Sequence, residues 1–384
     1  MSADQSTKQV ESKRMHALHR TKSRLGFSII ELVTIVVMSA SVTAVLGPAM
    51  SRMRTQMRGM TSEGNLASIG QISAMYANDH DNRIFTFTWR AGVPYIDLAT
   101  GKERVSPTDQ EAASRQVQNI LHRATGRISG AYKIQVPSAR LMHRRYSHLV
   151  LADYMGGSVT DPMWADPMDA NQLRWQLNPL EYRDDDPNTL PYGNGMPDLS
   201  GYDDDTNWQQ ISIQMLWPFA SSFQVVPHAW QQDFGPQYYP IEDTPHLFFQ
   251  SSDGIVLGER RFHEVRFPGA KVHMFEEFDR EQAGSPYFAY DHARPAKLMF
   301  DGSINTMMSG LSHSSVNPDH YLDNNLMPYD SKHAFEIWEQ PYVPLDTFPI
   351  PLGGLGDNTH LNQRFRWTLH GLQGTNYPHG FTRP

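Results

Sequence analysis

Two runs of three aspartates flank a stretch rich in Gly, Pro and Asn over residues 183–206. Calcium binds six to eight oxygen atoms, and clustered carboxylates with backbone carbonyls can supply them. One interpretation is therefore a calcium site, although the spacing matches no EF-hand loop. A solvated acidic surface loop is the alternative. The six candidate ligands are Asp184, Asp185, Asp186, Asp203, Asp204 and Asp205.

Catalytic patterns are otherwise missing from the sequence. The chain has no Cys, which excludes thiolate zinc sites and cysteine nucleophiles, and its 17 His show no HExxH spacing. It contains no GxSxG elbow, P-loop or GxGxxG motif. Glu276 and Glu277 could pass for paired catalytic acids, but neighbours on a strand point to opposite faces, so we expect structural residues at a sheet edge. We therefore predict no enzymatic activity.

Glu31 is the one charged residue in the apolar stretch of residues 27–46. As a helix, 20 residues are roughly 30 Å long, which matches the hydrocarbon thickness of a bilayer. A carboxylate in such a helix costs a few kcal/mol, so Glu31 needs either a partner or a place among the lipid headgroups. Small residues in the stretch would allow close helix–helix contact in lipid.

The helix is predicted to continue beyond the apolar stretch. Pro48 follows it, where a helix kinks or stops. Residues 49–79 nevertheless keep apolar side chains three and four apart, the spacing of one helix face. We expect one long helix from Phe27 to about Asn78, with its second half packed on a globular head. The expected apolar face comprises Leu66, Ile69, Ile72, Met75 and Tyr76.

Charge separates the N-terminus from the remainder. Residues 1–26 contain six Lys or Arg and two acidic residues, whereas the whole chain has a formal charge of −8. An acidic chain is a poor partner for nucleic acid. The basic N-terminal segment is therefore interpreted as a targeting leader.

The order of these features resembles the N-terminus of type IV pilins and of the pseudopilins of type II secretion. The matching segment is GFSIIELV, preceded by a basic leader and followed by Pro48. In that family a prepilin peptidase cuts after the glycine and methylates the new N-terminal phenylalanine. The resemblance implies cleavage between Gly26 and Phe27. It also implies that Glu31 pairs with the N-terminal amine of a neighbouring subunit, which satisfies two buried charges on assembly.

A second, weaker resemblance lies near the end of the globular part. Large pilin-like proteins of the planctomycete type carry His, nine residues and then Asp-Gly. Here eight residues separate His292 from Asp301 and Gly302. An ordinary hairpin with Asp-Gly at its turn explains the same residues, and we expect His292 and Asp301 to fix a hairpin rather than to perform chemistry.

Residues 80–384 contain short apolar runs broken by Pro, Gly and Asp, which are typical of strands and long loops. With the long helix they predict an α+β fold, a helix packed on a β-rich globular head. Aromatic stretches at residues 217–230 and 338–348 are interpreted as core, with a sugar- or partner-binding surface as the alternative. Predicted strands cover residues 84–89, 211–216, 254–257, 271–275 and 296–300, and predicted helices residues 108–125 and 141–154.

Four segments follow from the sequence and the resemblance: a cleaved leader (1–26), a transmembrane assembly helix (27–46), its amphipathic continuation (47–79) and a periplasmic or extracellular head (80–384). We expect a subunit of a type IV pilus or a type II secretion pseudopilus. It would sit in the inner membrane with its N-terminus inside, with prepilin peptidase and other pilin-like subunits as partners. The alternatives are a minor tip or adhesin-like subunit whose head binds a surface or secreted substrate, and an anchored periplasmic protein that does not assemble.

Overall fold

A computed structural model describes the chain from residue 28 onward, with gaps. The chain divides into two compact units, Met1–Arg54 and Thr55–Pro384. The predicted leader, the bond between Gly26 and Phe27, and the six aspartates of the candidate calcium loop lie outside the described residues. Those residues are 28–130, 133–136, 146–177, 179, 216–233, 256–282, 286, 288–313, 327–329, 359–361, 364–366, 368 and 370–378.

The described residues contain three α-helices, eight short strands and several 3₁₀ turns, which confirms an α+β fold. The helices are α1, Ile29–Asp79, α2, Asp109–Thr125, and α3, Ala170–Leu177. The strands are β1, Pro94–Asp97, β2, Lys102–Val105, β3, Phe223–Val225, β4, Val272–Glu276, β5, Lys297–Met299, β6, Ile304–Asn305, β7, Met327–Tyr329, and β8, Thr359–Leu361. The 3₁₀ turns are Ser147–Met155, Pro162–Trp164, Trp217–Phe219, Pro227–Ala229, Phe262–Glu264, Pro268–Ala270, Ser309–Leu311, Arg364–Arg366 and Gly371–Gln373.

Helix α1 is 51 residues long and includes Pro48, so the prediction of one long helix is confirmed. It ends at the predicted polar run. Asp81 and Asn82 adopt φ angles of 56° and 60°, a left-handed backbone that Asp and Asn tolerate better than most residues. The Asn82 N–H donates to the Ala77 carbonyl at 2.7 Å and so satisfies one of the carbonyls that a helix leaves free at its C-terminus.

Within the unit Thr55–Pro384, the C-terminal part of α1 buries one face in the hydrophobic core. Leu66, Ile69 and Tyr76 are buried there, as their spacing predicts. The pattern also predicts Met75 on this face, and that prediction is wrong: its side chain is 55% exposed. Successive helix residues are about 100° apart, which turns Met75 away from the face of Tyr76. Small residues complete the buried face: Gly59, Ser62 and Ser73.

The central sheet is antiparallel and has the strand order β3-β4-β5-β6. Its strand β4 is buried along its whole length, with β3 on one side and β5 on the other. The predicted strands at residues 271–275 and 296–300 are confirmed, although β5 is shorter than predicted. Outside this sheet, β1 pairs with β2 and β7 pairs with β8, both antiparallel.

Helix α2 confirms the prediction for residues 108–125. Thr108 caps its first turn, since its hydroxyl accepts a hydrogen bond from the Glu111 N–H at 3.1 Å. Gly126 ends it with a φ of 70°, where a residue without Cβ is favoured. Its apolar face, with Val117 and Leu121, is buried in the core.

The predicted strand at residues 84–89 is not a strand. The Ile84 N–H donates to the Arg260 carbonyl at 2.8 Å, and the N–H groups of Thr88 and Trp89 donate to the side-chain oxygen of Gln116. The segment is apolar because it is buried, but its backbone partners come from other elements. No local pattern of residues reveals such a partner.

Three other predictions need correction or lie partly outside the described residues. From the predicted helix at 141–154, the described part forms the 3₁₀ segment Ser147–Met155. Residues 256 and 257 of the predicted strand 254–257 lie outside any strand. Of the predicted strand 211–216, only residue 216 is described. In the aromatic stretch 217–230, Phe219, Phe223 and Trp230 are buried, as core packing requires, and the stretch 338–348 is not among the described residues.

Candidate functional site

The N-terminus of α1 is closed by a reciprocal pair of hydrogen bonds. The Ser28 N–H donates to the Glu31 carboxylate at 2.8 Å, and the Glu31 N–H donates to the Ser28 hydroxyl at 3.2 Å. This is a capping box, which satisfies two of the N–H groups that a helix leaves free at its start. The sequence reasoning assigned Glu31 a partner on another subunit and missed Ser28, although the Ser-x-x-Glu spacing is visible in the sequence.

The first part of α1 exposes its side chains wherever the structure describes them. Every side chain described between Ile29 and Met50 is exposed, and the most apolar window of 18 residues has a mean hydropathy of 2.3. By length and composition this helix can cross a membrane. Large exposed apolar surfaces of this kind mark a membrane or protein contact.

The hydroxyl groups of this segment are satisfied inside the helix itself. Thr34, Ser39, Ser41 and Thr43 each donate to the carbonyl four residues earlier, at 2.7 to 2.8 Å. A buried hydroxyl without a partner is costly in hydrocarbon, and this internal bonding removes that cost. The polar residues of the stretch are therefore compatible with a lipid environment.

A buried cluster of ionisable residues lies in the unit Thr55–Pro384. Glu276 was expected at a sheet edge, but it lies on β4 between two other strands and is 4% exposed, so the expectation is wrong. One of its carboxyl oxygens accepts a hydrogen bond from the Ser62 hydroxyl of α1. The other accepts from the Ala296 N–H at 3.0 Å. Glu276 therefore joins the long helix to the sheet.

A second set of contacts extends the cluster. The Arg280 guanidinium donates to the Asp169 carboxylate at 2.8 Å and lies 3.8 Å from that of Asp166. The Ser222 hydroxyl also donates to Asp169 at 2.8 Å. The side chains of all three charged residues are at most 5% exposed. Arg280 thus compensates two buried carboxylates, as a buried charge requires.

The carboxyl groups of Glu276 and Asp166 both have raised pKa values. Burial raises the pKa of Glu276 well above its usual value, and the charge of Asp166 raises it further. Burial also raises the pKa of Asp166, whereas Arg280 lowers it. The two carboxyl groups are thus close enough for each to affect the protonation of the other. Repulsion between neighbouring carboxylates favours the protonated form of Glu276.

The two carboxyl groups lie outside the two grooves of this unit that are described below. A carboxyl pair with one proton can act as acid and base in an enzyme, but a substrate must reach it. Both side chains are buried, and neither lines the two grooves of this unit described next. Sequence reasoning missed Asp166, Asp169, Arg280 and Ser62 as a group, because they come from four separate parts of the chain.

Two grooves run along the surface where α1 meets the sheet within the unit Thr55–Pro384. The large groove has a volume of about 1000 Å³ and is lined by Met60, Gly64 and Ala67 of α1, and by residues 266–270 and 303–305. The small groove has a volume of about 330 Å³ and lies beside Gly70, Ala74 and Ala77. Asp301 lines both grooves.

The candidate motif near the end of the globular part falls on the hairpin between β5 and β6. Gly302 has a φ of 84°, and the Asp301 carboxylate accepts from the N–H and hydroxyl of Ser303 at 2.9 and 2.6 Å. Asp301 and Gly302 thus form the turn, as expected. His292 lies before β5, exposed, with its ring 5.8 Å from that of Tyr290. It is not part of the turn.

Among the described residues, no group of three or more His, Asp or Glu side chains is arranged to hold a metal ion. The calcium prediction concerns residues outside that part of the chain and stays a prediction. Comparisons with protein-family models, with curated proteins and with solved structures found no match. Function must therefore be argued from the residues and the geometry.

Proposed function

We propose that this protein is a membrane-anchored, pilin-like subunit that assembles into a type IV pilus or a type II secretion pseudopilus. The observation that carries the proposal is the exposed apolar surface of α1 from Ile29 onward, with Glu31 as its acidic residue. This surface needs a lipid or protein covering. A basic leader before it and the GFSIIELV segment support processing by a prepilin peptidase.

Glu31 has two successive roles in this proposal. In the single chain its carboxylate accepts from the Ser28 N–H and caps its own helix. After cleavage behind Gly26, the free amine of Phe27 on a neighbouring subunit offers a charged partner. A bond between two charged groups in a low-dielectric environment is stronger than one in which only the carboxylate is charged. The head would lie in the periplasm, with the leader on the cytoplasmic side of the inner membrane.

Mass spectrometry of the purified protein tests the processing step. We expect a chain that begins at N-methylated Phe27 in cells with an active prepilin peptidase. A chain that still begins near Met1 in those cells would contradict the proposal.

Two substitutions separate capping from charge pairing. Glu31→Gln keeps an acceptor for the Ser28 N–H but has no charge, whereas Ser28→Ala keeps the charge and removes half of the capping box. We expect Glu31→Gln to insert into membranes normally and to lose filament incorporation, and Ser28→Ala to assemble. Normal incorporation of Glu31→Gln would refute the pairing of charges between subunits.

The large groove favours a second candidate, an anchored protein whose head binds a surface or a secreted substrate. Its volume of about 1000 Å³ is at the upper end of the range for ligand pockets. Ala67→Arg would obstruct the groove and leave residues 27–46 unchanged. If binding is the function, this variant fails to bind a surface or secreted protein that the parent binds, yet enters filaments as the parent does.

A further inference from the structure

Arg52 and Arg54 follow the apolar part of α1 and have no partner among the described residues. Both side chains are exposed. Neither forms an ion pair or a hydrogen bond with the described part of the chain. Elsewhere, exposed arginines such as Arg123 have a carboxylate within 3.3 Å. Two unpaired guanidinium groups on one helix form a local site of positive charge on a chain that is acidic overall.

The distance from the apolar stretch places these arginines at a membrane surface. If the hydrocarbon layer ends near Leu46, Arg52 lies about 9 Å and Arg54 about 12 Å beyond it, at 1.5 Å per residue. The headgroup layer is roughly 5 to 8 Å thick on each side. Helix side chains tilt toward the helix N-terminus, which here is the side of the membrane. Long Arg side chains therefore reach back to the headgroups.

The neighbouring residues suit the same location. Met50 and Met53 are 52% and 60% exposed and alternate with the arginines along the helix. Apolar and basic side chains mixed in this way are typical of helices at the boundary between acyl chains and headgroups. A planar guanidinium can donate two parallel hydrogen bonds to the oxygens of one phosphate group.

We propose that Arg52 and Arg54 bind the phosphate groups of anionic phospholipids at the membrane surface where the apolar helix ends. The proposal rests on the membrane insertion proposed above. It adds a lipid contact that an anchored subunit makes and an extracted subunit must break. It also gives the arginines a reason to lie on the outer side, against the usual bias of basic residues toward the cytoplasm.

Native mass spectrometry of the full chain tests this contact. The protein is reconstituted into nanodiscs of phosphatidylcholine with a minority of phosphatidylglycerol, and retained lipids of each class are counted. A basic residue near an anionic membrane contributes about a fivefold preference for anionic over neutral lipid. We expect the ratio of phosphatidylglycerol to phosphatidylcholine adducts to fall about fivefold for each Arg→Gln change at 52 or 54.

Two control variants make the result specific. Arg52→Lys with Arg54→Lys keeps the charge and should keep most of the preference. Arg58→Gln removes an exposed arginine of the same helix about 18 Å beyond Leu46. Measured from the outer edge of the headgroup layer, Arg58 lies about 10 to 13 Å away, whereas Arg52 and Arg54 lie within about 7 Å. Only the distance of Arg58 exceeds the screening length of about 8 Å at physiological salt, so the ratio should not change for Arg58→Gln.

The possible outcomes separate this proposal from the membrane proposal on which it rests. An unchanged lipid ratio in Arg52→Gln with Arg54→Gln would overturn the lipid contact while leaving insertion intact. Displacement of phosphatidylglycerol by inorganic phosphate would show that free phosphate is the ligand, and would also overturn it. A parent chain that does not enter nanodiscs of either composition would refute membrane anchoring, and this contact with it.

Discussion

Glu276→Gln is the sharpest test of the buried cluster. Gln has the shape of a protonated Glu and can still accept the Ala296 N–H with its oxygen. Its NH₂ group can donate to Asp166 and to the Ser62 hydroxyl, which rotates to accept. The contacts that join α1 to the sheet therefore survive, while the titrating group is gone. We expect the variant to fold and to differ from the parent in its pH dependence.

The sign follows from the raised pKa of Glu276. The contribution of the Glu276 carboxyl to folded-state stability is complete below the pKa of the unfolded chain, near 4.5. This contribution is lost as pH rises through the higher pKa of the folded state. Between those two values the folded parent holds about one proton more than the unfolded chain. The free energy of unfolding then falls by about 1.4 kcal/mol per pH unit. As pH rises above about 5, the parent should therefore lose stability relative to Glu276→Gln.

Other buried groups titrate, but they do not obscure the difference. Burial lowers the pKa of His273 to about 3 and that of His228 well below its usual value. In the parent and in Glu276→Gln alike, these two groups make the free energy of unfolding rise with pH. Burial lowers the pKa values of Lys271 and Lys297 to about 7, so their effect on the pH dependence of unfolding begins above the chosen range of about pH 5 to 6.5. The effects of His228, His273 and Lys271 cancel when the variant is subtracted from the parent. That of Lys297, whose pKa the charge of Glu276 raises, falls mainly above the chosen range.

The measurement is urea unfolding of the full chain in a mild non-ionic detergent, followed by tryptophan fluorescence. Parent and Glu276→Gln are compared at several pH values between about 5 and 6.5. Parallel curves of unfolding free energy against pH would refute the raised pKa of Glu276. A variant that is already less stable by several kcal/mol at pH 5 would refute the proposed hydrogen-bond replacement.

Further substitutions test other parts of the structure by the same unfolding assay. Ser62→Ala leaves the buried glutamate without its hydroxyl donor and should cost about 1–2 kcal/mol, whereas Ser68→Ala, whose hydroxyl bonds only within its own helix, should cost less than about 0.5 kcal/mol. Gly64→Ala has no atom within 4 Å of the added Cβ and should stabilise by about 1 kcal/mol. Gly70→Ala meets a buried leucine at 2.9 Å and should show no such gain. Gly302→Ala, at a φ of 84°, should destabilise by about 1–2 kcal/mol; equal stability of variant and parent would show that the turn relaxes.

Several elements could be predicted because their causes are local. The length of α1 follows from a continuous run of apolar and helix-compatible residues, and its end follows from Asp81 and Asn82, which tolerate a left-handed backbone. Helix α2 begins at Thr108 and ends before Gly126, both visible as capping residues. The turn at Asp301 and Gly302 is equally local. The capping box of Ser28 and Glu31 could also have been predicted from its spacing.

Other features depend on residues far apart in the chain. The segment at residues 84–89 has the composition of a strand, but Gln116 and Arg260 bind its backbone. The charge of Glu276, at the end of a predicted strand, suggests a residue at the edge of the sheet. The neighbouring strands β3 and β5, which bury it, come from distant segments of the chain. Burial of an ionisable group depends on packing, which local periodicity does not encode.

The sequence by itself therefore determined the apolar helix, the position of Glu31 within it and the α+β class, because hydropathy and helix propensity act over a few turns. Only the tertiary structure decided that Glu276 contacts Ser62 of α1 and that burial and the charge of Asp166 raise its pKa. The physical reason is that a carboxyl group changes its pKa through desolvation and nearby charges. Both arise when segments more than 100 residues apart come together.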